Sequence, residues 1–301
     1  MFRWRELIMA WLGAKVLLAA FGLGAAAGQD AARAEMRARL AAVETWGAQY
    51  QAVEVVRLAA SSLDLVVIDP DLDGRGADAR VVETLARKPD GSRRLVIAYL
   101  SVGAGEAWRG YWQPSFAAAP PDWLGRTDPA WPGSYTVRYW HPQWHDIVFA
   151  QLDRILAAGF DGVFLDRVDG YGDWRDRPDA QRDMTDLVHE LAVRARARHA
   201  GFAVIAQNAE HLLPDPRYRG AIDAVSKESL FTGLAGEGTE NRPEDTGWSL
   251  SFLQPAQRDG LIIFAIEYGR QHPAVAAAAL RLRQLGFKPF IATRLLDRVP
   301  D

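Results

Sequence analysis

FDGVFLDRVDGY, residues 160–171, is an apolar run that ends in Asp166, with Asp169 and Tyr171 directly beyond it. A short, continuous apolar run closed by an acid is how a buried parallel strand delivers a carboxylate to the mouth of an α/β barrel. Seven other segments follow the same plan: WGAQYQ (46–51), LDLVVID (63–69), LVIAYLS (95–101), FAVIAQN (202–208), IDAVSKE (222–228), LIIFAIE (261–267) and FKPFIAT (287–293). Between them, DARVVETLARK (78–88), WHDIVFAQLDRILAAG (144–159), DMTDLVHELAVRARARHA (183–200) and PAVAAAALRLRQLG (273–286) carry the helical period. Gly159, Gly201 and Gly286 stand where helix C-caps belong. Eight such units predict an α/β fold, a single-domain (β/α)8 TIM barrel, over a doubly wound sheet of five or six strands.

The chain has 301 residues, and a barrel takes roughly 250, so the remainder should lie outside it. With 49% hydrophobic and 24% charged residues the chain can bury a full core. A net charge of -3 supplies no basic field for nucleic acid, and the RARAR run at 194–198 suits a solvated helix face. The absence of cysteine excludes disulfides, thiolate catalysis and zinc–thiolate sites.

Arg3 and Arg5 precede the apolar run VLLAAFGLGAAA (16–27), and Ala25 and Ala27 form an A-x-A cleavage site before Gly28. Residues 1–27 therefore predict a signal peptide and an exported protein, periplasmic or extracellular. The alternative is a membrane anchor over residues 7–27, interrupted by Lys15 but long enough to span a bilayer. Residues 28–45 are expected to be a linker, a tether or short helix, before a folded domain at 46–301.

Polar groups recur where the strands finish, which is where barrel active sites lie. Asp69 ends the second strand; Tyr99, Ser101 and Glu106 end the third; Asp166, Asp169 and Tyr171 follow the fourth. Gln207, Asn208 and Glu210 close the fifth, Glu228 the sixth, and Glu267 with Tyr268 the seventh. A lone acid at a strand end is an ordinary helix cap or ion-pair partner. Several acids converging on one mouth repel one another and acquire unequal pKa values, the machinery of glycoside hydrolysis, in which one acid protonates the leaving oxygen and the other attacks or activates water. Ten aromatic residues between Trp108 and Trp144 populate a long connection after the third strand. Such rings either pin the loop as a satellite core or stack on pyranose faces, and Tyr139 and Trp140 are the ones expected to face the cleft.

IAYLSVGAGE (97–106), YWHPQW (139–144), FDGVFLDRVDGY, AQNAEHL (206–212) and SKESLF (226–231) resemble, in order and spacing, the endo-α-1,4-polygalactosaminidase group, glycoside hydrolase family 114, with its spherulin-4-like relatives. The resemblance spans roughly 46–293 and implies a barrel that cuts inside α-1,4-linked galactosamine or N-acetylgalactosamine polysaccharide. It maps the family's acid pair onto Asp166 and Glu228, with Asp69, Glu267 and Tyr268 lining the same site. The family's seventh strand commonly ends Asp-Tyr, whereas this chain has Glu267 and Tyr268. An acidic cleft agrees with a cationic amino sugar, which Coulomb attraction would draw in. Of the two role assignments, Asp166 as nucleophile or base and Glu228 as proton donor is preferred.

Other chemistries have weaker support in the sequence. Lys227 could form a Schiff base, but it alternates with Glu228, and only one of the two can face into the barrel. DPDLDG (69–74) begins like a calcium loop, yet Arg80 stands where the closing Glu belongs. No H-E-x-x-H occurs, and Gly103 with Gly105 makes only half of a phosphate-binding G-x-G-x-x-G. No metal and no cofactor are therefore expected. The remaining alternative is a barrel that binds or exports polysaccharide without cleaving it; keeping both acids argues against that.

Overall fold

The computed structural model describes residues 27–72, 76 and 78–299. All but the last residue of the expected leader (1–27) or anchor (7–27), and Asp73 and Gly74 of the DPDLDG loop, lie outside the described residues. Eight parallel strands form one sheet: β1 (Trp46–Gln49), β2 (Leu65–Ile68), β3 (Leu95–Ser101), β7 (Gly162–Asp166), β8 (Ala203–Gln207), β9 (Ala224–Glu228), β10 (Ile262–Tyr268) and β11 (Lys288–Ala292). Between β3 and β7 the chain inserts β4 (Ala104–Glu106), β5 (Leu124–Thr127) and β6 (Ser134–Val137), an antiparallel sheet of its own. The large sheet curls until its two edges meet, and the Trp46 indole donates to the Lys288 carbonyl at 3.0 Å across the seam. This is the expected (β/α)8 TIM barrel.

A helix α1 spans residues 27–41. The others are α2 (Val55–Ala60), α3 (Ala79–Ala86), α4 (Pro142–Ala157), α5 (Ala180–Arg198), α6 (Pro216–Ala221), α7 (Pro243–Arg258) and α8 (Pro273–Gln284). Proline opens α4, α6, α7 and α8, where its missing N–H costs no helical hydrogen bond. Asp78 caps α3 by accepting from the amides of Arg80 and Val81. Gly159 and Gly286 end α4 and α8 at φ +84° and +77°. Gly201 does not adopt such a conformation; a Cβ there would lie 3.2 Å from the Ala32 carbonyl, so it lets α1 approach instead.

Strand alternation divides the buried residues into two cores. Leu65, Val67, Ile97, Phe164, Ile205, Phe264 and Phe290 fill the barrel, while Val66, Val96, Leu165, Val204 and Ile263 face the helices. Met36, Leu40 and Val43 join the inner core from below, so the segment expected to be a tether or short helix seals the barrel floor. Each such buried side chain stabilises by roughly 1.5–3 kcal/mol, which is ample to dock α1. Lys288 secures its end by donating to the Ala41 carbonyl at 2.8 Å.

Most rings of the aromatic connection pack on one another. Trp112 stacks on Tyr135 at 4.8 Å, and Trp123 lies 5.0 Å from Trp144, whose indole donates to the Val102 carbonyl at 2.9 Å. Trp108 and Trp131 are the exposed rings of this set.

Candidate active site

The inward sets on the strands end, at the C-terminal mouth, in Asp69 after β2, Tyr99 and Ser101 on β3, Asp166 on β7, Gln207 on β8, Glu228 on β9 and Tyr268 on β10. Beyond β7, β8 and β9 the backbone turns left-handed, at Arg167 (φ 59°), at Asn208 and Ala209 (φ 55° and 54°) and at Ser229 (φ 51°). Only Asn among these tolerates that region easily, and such local cost clusters where the surrounding fold has a site to shape. Gly103 serves the first of these turns: a Cβ there would fall 2.1 Å from the Arg167 carbonyl. That close approach, rather than phosphate binding, explains the glycine.

One half of the mouth is a chain of hydrogen bonds. The Tyr99 hydroxyl bridges Asp166, at 2.7 Å from Oδ2, and Glu106, at 3.1 Å from Oε1. Arg109 donates through Nε to Glu106 at 2.5 Å and through Nη1 to Asp69 at 2.6 Å. Arg109 is buried between these two carboxylates, which hold its charge firmly in place. Burial still pushes the Glu106 carboxyl up, against the pull of Arg109.

Glu228 dominates the other half. Its Oε1 accepts from the Tyr268 hydroxyl and its Oε2 from Asn208 Nδ2 at 3.0 Å. Asn208 Oδ1 in turn accepts from the Glu228 amide at 3.1 Å, so one asparagine fixes both backbone and side chain. Burial, followed by the charge of Glu228, raises the Asp166 carboxyl from an ordinary 3.8 to about 7. Asp169 is also raised, again chiefly by burial, with Glu228 adding to it and Arg167 opposing. Tyr50, just beyond β1, stacks against Tyr99 at 4.5 Å, and its buried hydroxyl makes no hydrogen bond among the described residues. Burial and then the charges of Asp166, Glu228 and Asp69 raise that hydroxyl well above its usual range, which places it among all three.

Several expected site residues stand elsewhere or are taken up by structural hydrogen bonds. Glu267 is fully buried on the outward face of β10, where its carboxylate accepts from the Phe231 and Thr232 amides and the Thr232 hydroxyl. Strand alternation permits only one of Glu267 and Tyr268 to face inward, and Tyr268 does. Tyr139 is fully buried and donates to the Ala180 carbonyl at 2.7 Å, so it is core rather than cleft. Trp140 packs edge-on against Tyr139 and Trp174, with Arg177 4.2 Å from its ring. Tyr171 is buried and its hydroxyl hydrogen-bonds His211 Nδ1 at 2.9 Å. Ser101 donates to the Ala104 carbonyl at 3.0 Å, which shapes the turn into β4. Glu210 is buried between Ser249 (2.5 Å) and Lys227 (3.3 Å), so Lys227 lies in the outer layer and not in the barrel. Gln207 keeps its place, with a buried Oε1 that has no partner among the described residues.

Arg109, Tyr50 and the pairing of Arg294 with Trp131 went unread in the sequence. Arg294 lies 5.6 Å from the Trp131 ring and 5.1 Å from that of Tyr268, which puts Trp131 at the rim instead of Trp140. Tyr50 could have been found by extending the alternation of Trp46 and Ala48 by one step. Among the described residues no group of three or more His, Asp or Glu is arranged for a metal.

A mouth of carboxylates on a parallel barrel, two of them held by tyrosine hydroxyls, is joined by a sequence match. The profile of glycoside-hydrolase family GH114 covers residues 26–300. The chain belongs to glycoside-hydrolase family GH114. This GH114 protein is a glycoside hydrolase, and it is 39% identical over 267 residues to an uncharacterised protein of Deinococcus radiodurans, covering 86% of this chain and 83% of that one. An uncharacterised protein of Thermotoga maritima is 33% identical over 232 residues, covering 75% and 71% respectively. Among solved structures the GH114 fold here is similar to the glycoside hydrolase domain of PelA from Pseudomonas aeruginosa, with a TM-score of 0.65, 23% identity, and coverage of 85% of this chain and 97% of that one. It is likewise similar to Ega3 of Aspergillus fumigatus, solved in complex with galactosamine, with a TM-score of 0.62, 22% identity, and coverage of 85% and 93%.

Proposed function

We propose that this protein is an exported, endo-acting hydrolase of α-1,4-linked galactosamine or N-acetylgalactosamine polysaccharide, with Asp166 and Glu228 as its acid pair. The observation that carries this is the pair itself: two inward carboxylates on β7 and β9, each bonded to a tyrosine hydroxyl, with Asp166 raised to about 7. With its carboxyl raised to about 7, Asp166 holds a proton near neutrality and is suited to protonate the leaving glycosidic oxygen, while the Glu228 carboxylate is positioned to supply electrons to the anomeric carbon or to water, opposite to the roles preferred from sequence.

Each remaining group has a defined task in this mechanism. Tyr268 and Asn208 steady the Glu228 carboxylate, and Tyr99 does so for Asp166. The Tyr50 hydroxyl, with its donor unspent, is placed to meet a sugar oxygen between them. Asp69, Glu106 and Asp169 add negative charge against Arg109 and Arg167, which favours a sugar carrying a free amine. Trp131 at the rim offers a face for a pyranose ring. Residues 1–27 serve as the export signal in this account; no described helix is long and apolar enough to cross a membrane.

The test is reducing-end release from α-1,4-galactosamine polymers of graded acetylation and from a neutral α-1,4-glucan. Cleavage that rises with free-amine content supports the assignment. Equal cleavage of the neutral glucan overturns the substrate class, and binding without release of any reducing ends overturns the hydrolytic one.

A further inference from the structure

On the opposite face of the barrel from the mouth, α1, α6 and α7 enclose a cavity of about 540 Å³. Its polar lining is Arg33, Arg37, Arg219, Ser251 and Asp259, and its apolar wall includes Phe252 and Pro255. Directly beneath lies Asp223, which is fully buried and meets Arg33 at 2.8 Å, Arg37 at 3.4 Å and Arg196 at 2.7 Å.

Docking α1 to the barrel explains part of this arrangement but not its charge. Asp223 Oδ1 is already taken by Arg33, and its Oδ2 by Arg196 and the Val204 amide at 3.0 Å. Arg37 Nε is buried and, beyond its 3.4 Å ion pair with Asp223, makes no hydrogen bond among the described residues, while its Nη2 donates to the Ile222 carbonyl at 3.3 Å. Among the described residues Arg219 makes no ion pair with Asp223 and donates only to the Ala256 carbonyl, at 3.3 Å. Four guanidiniums thus face two carboxylates, Asp223 and Asp259, a surplus of two positive charges beside an open cavity. Like charges gathered here repel, and an anion joining them relieves that repulsion. Guanidinium forks match phosphate oxygens two at a time, and a phosphate monoester carries about 1.5 to 2 negative charges at neutral pH.

We propose that this cavity binds the phosphate of a phosphate monoester, either soluble or borne by a lipid. The apolar wall receives the organic part of the ester. Both sources fit a cavity that opens on the protein surface.

The test titrates inorganic phosphate into the full chain by calorimetry, with chloride adjusted to hold ionic strength constant so that screening does not vary. Saturable binding is expected, weakened at least tenfold in an Arg37→Gln, Arg219→Gln double variant that keeps both Asp223 partners. Asp259→Asn, which removes an opposing carboxylate, is expected to tighten binding, so the idea does not rest on loss-of-function variants alone. Polymer hydrolysis is expected to stay unchanged in all of them. Co-sedimentation with phosphatidic acid vesicles but not phosphatidylcholine vesicles, lost in the double variant, identifies a lipid source. Phosphate binding without vesicle binding identifies a soluble ester. Absence of saturable phosphate binding to the wild type, or equal affinity in a natively folded double variant, overturns the proposal.

Discussion

Replacing Asp166 by Asn should stabilise the protein at neutral and alkaline pH while abolishing turnover. The wild-type carboxyl is raised from 3.8 to about 7, so the native state holds this proton more tightly than the unfolded chain does. A raised carboxyl contributes its full stability below about pH 4 and loses it as the pH climbs through about 7. The whole shift corresponds to about 4 kcal/mol at 1.36 kcal/mol per pKa unit, and solvent at the partly exposed edge of Asp166 reduces this to about 2–4 kcal/mol. Asparagine keeps a hydrogen-bonding partner for Tyr99 but carries no charge at any pH. The assay is urea unfolding of wild type and variant at pH 4, 6 and 8, followed by tryptophan fluorescence. The variant's advantage should be small at pH 4 and grow by about 2–4 kcal/mol by pH 8. An advantage that is the same at pH 4 and pH 8 would refute the claim that burial and Glu228 hold Asp166 protonated.

Tyr268→Phe removes a donor to the Glu228 carboxylate, and kcat/KM should fall about ten- to hundredfold, the loss of roughly 1.5–3 kcal/mol for a hydrogen bond to a charged group. Stability should fall with it, by up to about 1.5–3 kcal/mol, which steady-state kinetics and urea unfolding check together. Arg109→Met leaves Asp69 and Glu106 buried without their counter-charge, and should cost about 3–5 kcal/mol of stability, as read by urea unfolding. That cost should shrink at acid pH as the Glu106 carboxyl, already pushed up by burial, takes up a proton. Tyr139→Phe should lose only about 1 kcal/mol of stability, for its bond to Ala180, and leave KM unchanged. Trp131→Ala should do the reverse, raising KM for the polymer with little loss of stability.

The eight strands were legible because each is a short apolar run bounded by helical periodicity, and the acids closing the fourth and sixth, Asp166 and Glu228, do meet at the mouth. Register within a strand was legible in principle: alternation from Phe264 and Ile266 leads to Tyr268 and excludes Glu267, as it excludes Lys227 beside Glu228. The expectation that Tyr139 and Trp140 face the cleft failed because composition identifies aromatic rings but not their partners. The partners are Ala180 on α5 for Tyr139 and Trp174 with Arg177 for Trp140, and only the folded chain brings them together. Helix α7 was missed because Pro255 interrupts an already weak amphipathic pattern. Helix α1 could not be told from a tether, since Met36, Leu40 and Val43 are spaced for burial but nothing in the sequence shows the barrel floor that receives them. Arg109 sits in a loop without periodicity, and its role exists only because β2 and β4 place Asp69 and Glu106 on either side of it.

The central claim is that Asp166 and Glu228 work as one unit on a glycosidic bond. It is tested most directly by single-turnover release of reducing ends from partly deacetylated α-1,4-galactosamine polymer by wild type, Asp166→Asn, Glu228→Gln and the double variant, each confirmed folded by circular dichroism. The account predicts that either single substitution removes nearly all turnover and that the double variant is scarcely worse, as for groups that act together. A single variant that retains a substantial part of wild-type turnover, or losses that simply multiply in the double variant, would contradict it.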